Sequence, residues 1–108
     1  MIYELRIYHC LPGKMPLLLK RFEAATLPLW EKHGLVQAGF WTVDIGPSNH
    51  DLYYLLAWES LAERDRKWNA FQADPQWQAE RTASEAEGPI LASISNSFLK
   101  PTRFSAVK

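Results

Sequence analysis

The stretch LYYLLAWE, residues 52–59, constrains the fold more than any other part of the chain. Side chains of a strand alternate between faces, so Leu52, Tyr54, Leu56 and Trp58 share one face and Tyr53, Leu55 and Ala57 the other. Both faces are apolar. The preceding strand pattern, LVQAGFWTVDI at 35–45, repeats the problem: Trp41, Val43 and Ile45 oppose Val36, Ala38 and Phe40, with Gly39 placed for a bulge. A sheet of such strands needs cover on both sides.

The other patterns supply cover for only one of them. IYELRIYHC, residues 2–10, reads as a first strand that ends at the Leu11-Pro12-Gly13 turn. Met15, Leu18, Leu19, Phe22, Thr26, Leu29 and Trp30 then recur at helical spacing. Pro16 suits a first turn, Pro28 should kink or divide the helix, and His33-Gly34 supplies a stop. After the 46–51 loop and the 52–59 strand, Ser60 and Glu63 form a capping-box signature. The helix that follows carries Trp68 and Phe71. Asp74-Pro75 restarts a shorter helix with Trp77, running to about Gly88-Pro89. ILASISNSFL, 90–99, is the last strand, and Pro101 begins a tail.

The order β-α-β-β-α-β specifies a single α+β domain over residues 1–108, a ferredoxin-like antiparallel sheet with helices on one face. Contiguous exposed apolar surface is rare on soluble monomers. The uncovered sheet face therefore predicts a homodimer packed sheet to sheet.

Charge and cysteine usage narrow the function classes. Lys plus Arg equals Asp plus Glu at 12 each, which gives no electrostatic footing for nucleic acid or an anionic membrane. No apolar run approaches the roughly 20 residues a spanning helix needs. The chain enters a strand pattern at once, without a signal-peptide pattern, and its lone Cys10 fits a reducing compartment as a buried thiol. A cytoplasmic protein is expected.

Chemistry-bearing residues are scattered. In the first strand Glu4, Arg6 and Tyr8 share a face, opposite Tyr3, Leu5 and Ile7. With both sheet faces needing cover, the expectation sets Glu4 and Arg6 as an ion pair in the dimer-facing layer, with Tyr3, Leu5 and Ile7 beneath the helices. The alternative places the pair in a pocket, orienting a polar ligand group. His9, His33 and His50 lack metal-ligand spacing, so neither a metal nor a cofactor is expected. His33 is expected to meet the negative end of the first helix. His50, in the GPSNHD loop, has acid–base potential. Trp41, Tyr54, Trp58 and Trp68 fill core or interface, or border a gap where a flat ligand stacks. The run SLAERDRKW, with Glu63 and Lys67 four apart, reads as a solvated helix face. No Ser-His-Asp order, phosphate loop or paired carboxylates marks a reaction.

YELRIY, LPLWEKHG, the block FWTVDIGPSNHDLYYLLAWESLAERDRKW and ADPQWQ together resemble the NIPSNAP family across nearly the whole chain. The resemblance implies the dimeric α+β barrel fold, shared with antibiotic-biosynthesis-type monooxygenases that hold a pocket between sheet and helices. It brings no agreed reaction or catalytic motif.

Three functions follow as expectations. The first is a non-catalytic binding or interaction module for a small hydrophobic ligand. The second is a cofactor-independent monooxygenase-like enzyme acting on an aromatic or quinol-type substrate, for which Arg6, His9, His50 and the tyrosines would be tested first. The third is a purely structural dimer or adaptor. Glu4, Arg6, Tyr8, His9, Trp41, His50, Tyr54, Trp58 and Trp68 are the candidate pocket or interface residues.

Overall fold

The computed structural model describes residues 1–108. Strands β1 (Ile2–Cys10), β2 (Val36–Thr42), β3 (Asp51–Trp58) and β4 (Leu91–Leu99) form one antiparallel sheet in the order β2-β3-β1-β4. Helices α1 (Met15–Arg21), α2 (Leu27–His33), α3 (Leu61–Gln72) and α4 (Pro75–Ser84) supply the second layer. The arrangement is the expected ferredoxin-like α+β fold. Its extents, 45 × 36 × 19 Å, are those of one helix layer on one sheet.

The predicted first helix is two α-segments joined by a π-helical turn, Phe22–Thr26. Pro28 has no N–H to give the Ala24 carbonyl. Before it, the Leu27 N–H reaches back five residues to the Phe22 carbonyl, and the wider turn absorbs the proline. Gly34 then ends α2 at φ +76°, a left-handed conformation that glycine adopts without strain. At α3 the Ser60 hydroxyl accepts from the Glu63 N–H as its signature requires. The Glu63 carboxylate accepts from Glu59 N–H rather than from Ser60, one residue off the standard box.

Asp74 caps α4 by accepting from Gln76 N–H at 2.8 Å, and its other oxygen accepts from Lys32 Nζ and His33 Nε2. His33, expected to serve its own helix end, thus ties α2 to α4. These donors hold the Asp74 carboxyl far below the usual carboxylate range, led by the His33 and Lys32 hydrogen bonds.

The face assignment of β1 is the principal correction. Glu4, Arg6 and Tyr8 face the helices and are buried, whereas Tyr3, Leu5 and Ile7 lie on the open face, Tyr3 buried there and the other two half-buried. Pairing sets the faces. Glu4, Arg6 and Tyr8 align with Leu56, Tyr54 and Leu52, and those three lie fully within the core. Strand alternation sorts these residues into two faces but does not say which face the helices cover. Buried charges are tolerated where they are paired and hydrogen-bonded, and these are.

The Gly39 bulge is present, with the β2–β3 register shifting between Gln37 and Gly39. It also re-sorts β2. Phe40 aligns with Tyr54 on the helix face and stacks on it at 4.8 Å, while Val36 and Trp41 share the open face. Gly39 has φ +135°, and a Cβ there would meet the Trp41 ring at 2.5 Å. The indole lies where a side chain would otherwise stand.

Candidate functional site

A hydrogen-bonded chain runs through the core from Glu4 to a cleft. Glu4 has no exposed surface, and its two oxygens accept from five donors. Oε1 accepts from Trp58 Nε1 (3.1 Å) and Arg64 Nε (3.2 Å). Oε2 accepts from Arg6 Nη1 (2.9 Å), Asn96 Nδ2 (3.0 Å) and Arg64 Nη2 (3.2 Å). Burial opposes ionisation of this carboxyl, but the Arg64 and Asn96 hydrogen bonds and the Arg6 charge outweigh it, so its pKa lies below the ordinary 4.5.

Arg6 extends the chain. Its Nε donates to the Tyr54 hydroxyl at 2.8 Å, and Tyr54 donates to the Tyr8 hydroxyl at 2.9 Å. Its guanidinium lies 4.4 Å from the Trp68 ring centroid, a cation–π contact. Burial works against the Arg6 charge, yet the Tyr54 and Tyr8 oxygens and Glu4 hold it firmly protonated. Burial pushes Tyr54 well above its usual range, so it stays a neutral donor. The polarity is therefore fixed: Tyr8 accepts from Tyr54, and its own proton remains free.

Tyr8 lines a cleft of about 450 Å³ between α4 and the start of β4, together with Arg6, Arg21, Trp77, Arg81 and Glu85. Arg21, the last residue of α1, also borders a groove of about 420 Å³ between α1 and α4. Its side chain is only 5 % exposed. Its Nη1 reaches Ser84 Oγ at 3.3 Å and Glu85 Oε1 at 3.4 Å, long for charge-assisted contacts. Arg21 Nε and Trp77 Nε1 are buried without a hydrogen-bond partner.

A second polar cluster lies on the opposite face of the sheet. The Asp51 carboxylate accepts from His9 Nδ1 at 2.8 Å, and His9 Nε2 lies 2.8 Å from Ser95 Oγ. With neutral His9 this makes Nε2 the acceptor of the Ser95 proton. Asp51 pairs directly with His9 across β1 and β3. Sequence order alone concealed this Asp–His–Ser connection, because its members come from three strands.

Six of the nine candidate residues, Glu4, Arg6, Tyr8, Tyr54, Trp58 and Trp68, thus meet in one network beneath the helices. His9 and Trp41 lie on the open face, Trp41 being 52 % exposed. His50 is half-buried in the β2–β3 connection, where its backbone carbonyl accepts from Cys10 N–H. Sequence reasoning missed Arg21, Arg64, Asn96 and Ser95, and set Asp51 in the loop beside His50, whereas it opens β3 and meets His9. Arg21 was detectable as a charge beside the apolar stripe at Leu18 and Phe22. Arg64 was not, since its neighbours Asp65 and Arg66 are solvated. No three His, Cys, Asp or Glu side chains cluster at metal-binding distance, and no helix is long and apolar enough to cross a membrane.

Known proteins with this architecture agree with one another. An uncharacterised NIPSNAP domain protein from Burkholderia xenovorans superposes with a TM-score of 0.84 at 30% identity, covering 97% of this chain and 98% of that one. A NIPSNAP family protein of unknown function from Agrobacterium tumefaciens str. C58 gives 0.87 at 28% identity, covering 100% and 94%. A protein from Nitrosomonas europaea whose name places it among the antibiotic biosynthesis monooxygenases gives 0.63 at 7% identity, covering 94% and 98%; that likeness is one of fold alone. No curated protein matches. The NIPSNAP family model matches residues 3–106, and the chain belongs to the NIPSNAP family.

Proposed function

We propose that this NIPSNAP chain is a cytoplasmic, homodimeric binding module that takes a small, largely apolar ligand in the cleft between α4 and β4. The observation that carries the reading is the cleft itself. Its walls set Tyr8, Trp77, Leu91 and Ile94 beside four charged side chains, Arg6, Arg21, Arg81 and Glu85, so a small ligand there would meet apolar and ionic groups together. Titration with 2-naphthalenemethanol should quench tryptophan fluorescence saturably. Ala92→Trp, which adds an indole at an exposed position in the cleft wall, should weaken that binding at least tenfold. Absence of saturable binding by wild-type protein would sink the reading.

The dimer is supported by the open sheet face. Leu5, Ile7, Tyr53 and Leu55 are only half-buried there, and Val36, Trp41 and Leu99 are exposed. A second copy presents the same apolar surface and covers it by two-fold symmetry. Light scattering at micromolar concentration should give twice the chain mass, and Leu55→Lys should give monomer. A wild-type monomer under those conditions refutes the assembly.

A further inference from the structure

Resting on the cleft as a ligand site, we propose that its ligand carries a carboxylate on a flat apolar body, and that Arg21 and the Tyr8 hydroxyl receive that carboxylate. The donor balance of the cleft motivates the choice. Tyr8 already accepts the Tyr54 proton, so the hydrogen on its own oxygen is available to an acceptor. Arg21 Nε and Trp77 Nε1 are buried donors without acceptors. Unpaired buried donors are uncommon, and two of them belong to residues of this cleft wall.

Charge points the same way. Arg6, Arg21 and Arg81 line the cleft, against the single carboxylate of Glu85. Arg6 is committed to Glu4. Arg21 is at least as buried, but its only ionic contact is Glu85 at 3.4 Å. A guanidinium so placed is short of an anion, and its planar fork matches a carboxylate better than any neutral acceptor. Arg81, exposed in the same wall, raises the local concentration of anions. Leu91 and Ile94 line the same cleft and can meet the ligand body beside the charged head, while the Trp77 ring packs on Phe71 and carries the Arg21 guanidinium carbon 5.6 Å from its centroid.

The test compares 2-naphthoate with 2-naphthalenemethanol by isothermal titration calorimetry at low ionic strength, so that shape is held while charge changes. Wild-type protein should bind the acid about tenfold or more tightly, the gain of one good charge-assisted contact. Arg21→Gln should abolish that preference, bringing the ratio of acid to alcohol affinity to about one. Tyr8→Phe should reduce it severalfold. Glu85→Gln, which removes the competing carboxylate from a partly exposed position, should raise the acid-to-alcohol affinity ratio severalfold. This last variant decides the matter if Arg21→Gln does not fold.

Equal affinities for acid and alcohol in the wild type would overturn the carboxylate assignment and leave the apolar-ligand reading standing. An acid preference unchanged in Arg21→Gln, or no gain in Glu85→Gln, would overturn the role of Arg21. Failure of both probes to bind refutes the ligand site itself.

Discussion

Replacing Glu4 by Gln tests whether the buried network is an energetic unit. Glutamine keeps the shape of the side chain but removes the charge and turns one acceptor into a donor. The variant would then set an NH₂ group against the donors of Arg6, Arg64 and Asn96, or against those of Trp58 and Arg64. Arg64 can relax, because it is 17 % exposed and already contacts Asp65. Arg6 cannot: its side chain is 8 % exposed, with Glu4 as its only carboxylate partner. Removing one member of a buried ion pair costs about 3–5 kcal/mol, and the freedom of Arg64 favours the lower end, about 3 kcal/mol. At about 4 °C per kcal/mol for a chain of this size, Tm should fall by about 12 °C. Urea unfolding followed by circular dichroism measures the loss, with wild type and variant compared at one protein concentration. Adding Arg6→Met to Glu4→Gln should recover part of it, since the stranded charge is gone. A loss below about 1 kcal/mol, or no recovery in the double variant, would refute the reasoning.

Acid titration should give a matching result: the folded-state pKa values of Glu4 and Asp74 lie below their ordinary values of 4.5 and 3.8. Their contribution is complete above those values and lost as pH falls through the folded ones, so stability should decline below about pH 4.5, less steeply in Glu4→Gln. Tyr54→Phe leaves Arg6 Nε without its acceptor and should cost about 1–3 kcal/mol by urea unfolding. Gly39→Ala forces a positive φ and a collision with the Trp41 ring, and should cost roughly 1–3 kcal/mol with a changed tryptophan emission. Cys10 is buried, and burial, reinforced by the Asp51 charge and partly offset by Arg21, raises its thiol pKa. Its reaction with a disulfide reagent at pH 8 should be at least about tenfold slower in native than in urea-unfolded protein.

Element order, the Gly39 bulge, the Asp74 cap and the burial of Tyr54, Trp58 and Trp68 were legible in the sequence because each has a local signature. The π turn was legible only in hindsight. Arg21 and Phe22, Ala25 and Thr26, and Leu29 and Trp30 are buried in pairs four residues apart. In an α-helix of 3.6 residues per turn such pairs drift by about 40° at each step. A π turn, being wider, cancels the drift and keeps all three pairs on the sheet. The orientation of β1 was not legible, because alternation says which residues share a face and not which face is covered. Nor was the Asp51–His9–Ser95 contact, which depends on the register of three strands.

The five donors around Glu4 come from β1, β3, α3 and β4, so the network also favours one strand alignment over its neighbours. A one-residue slip of β1 would send Glu4 to the open face and strand Arg64 and Asn96. A two-residue slip keeps the faces but sets Arg6 where Glu4 belongs, guanidinium against the Arg64 guanidinium, with Trp58 and Asn96 pointing donors at a donor. Apolar strands whose neighbours are all Leu, Ile and Tyr tolerate such shifts, since one branched side chain packs nearly as well as the next. A lone carboxylate that must meet four partners at once tolerates neither, and only the native pairing closes the sheet.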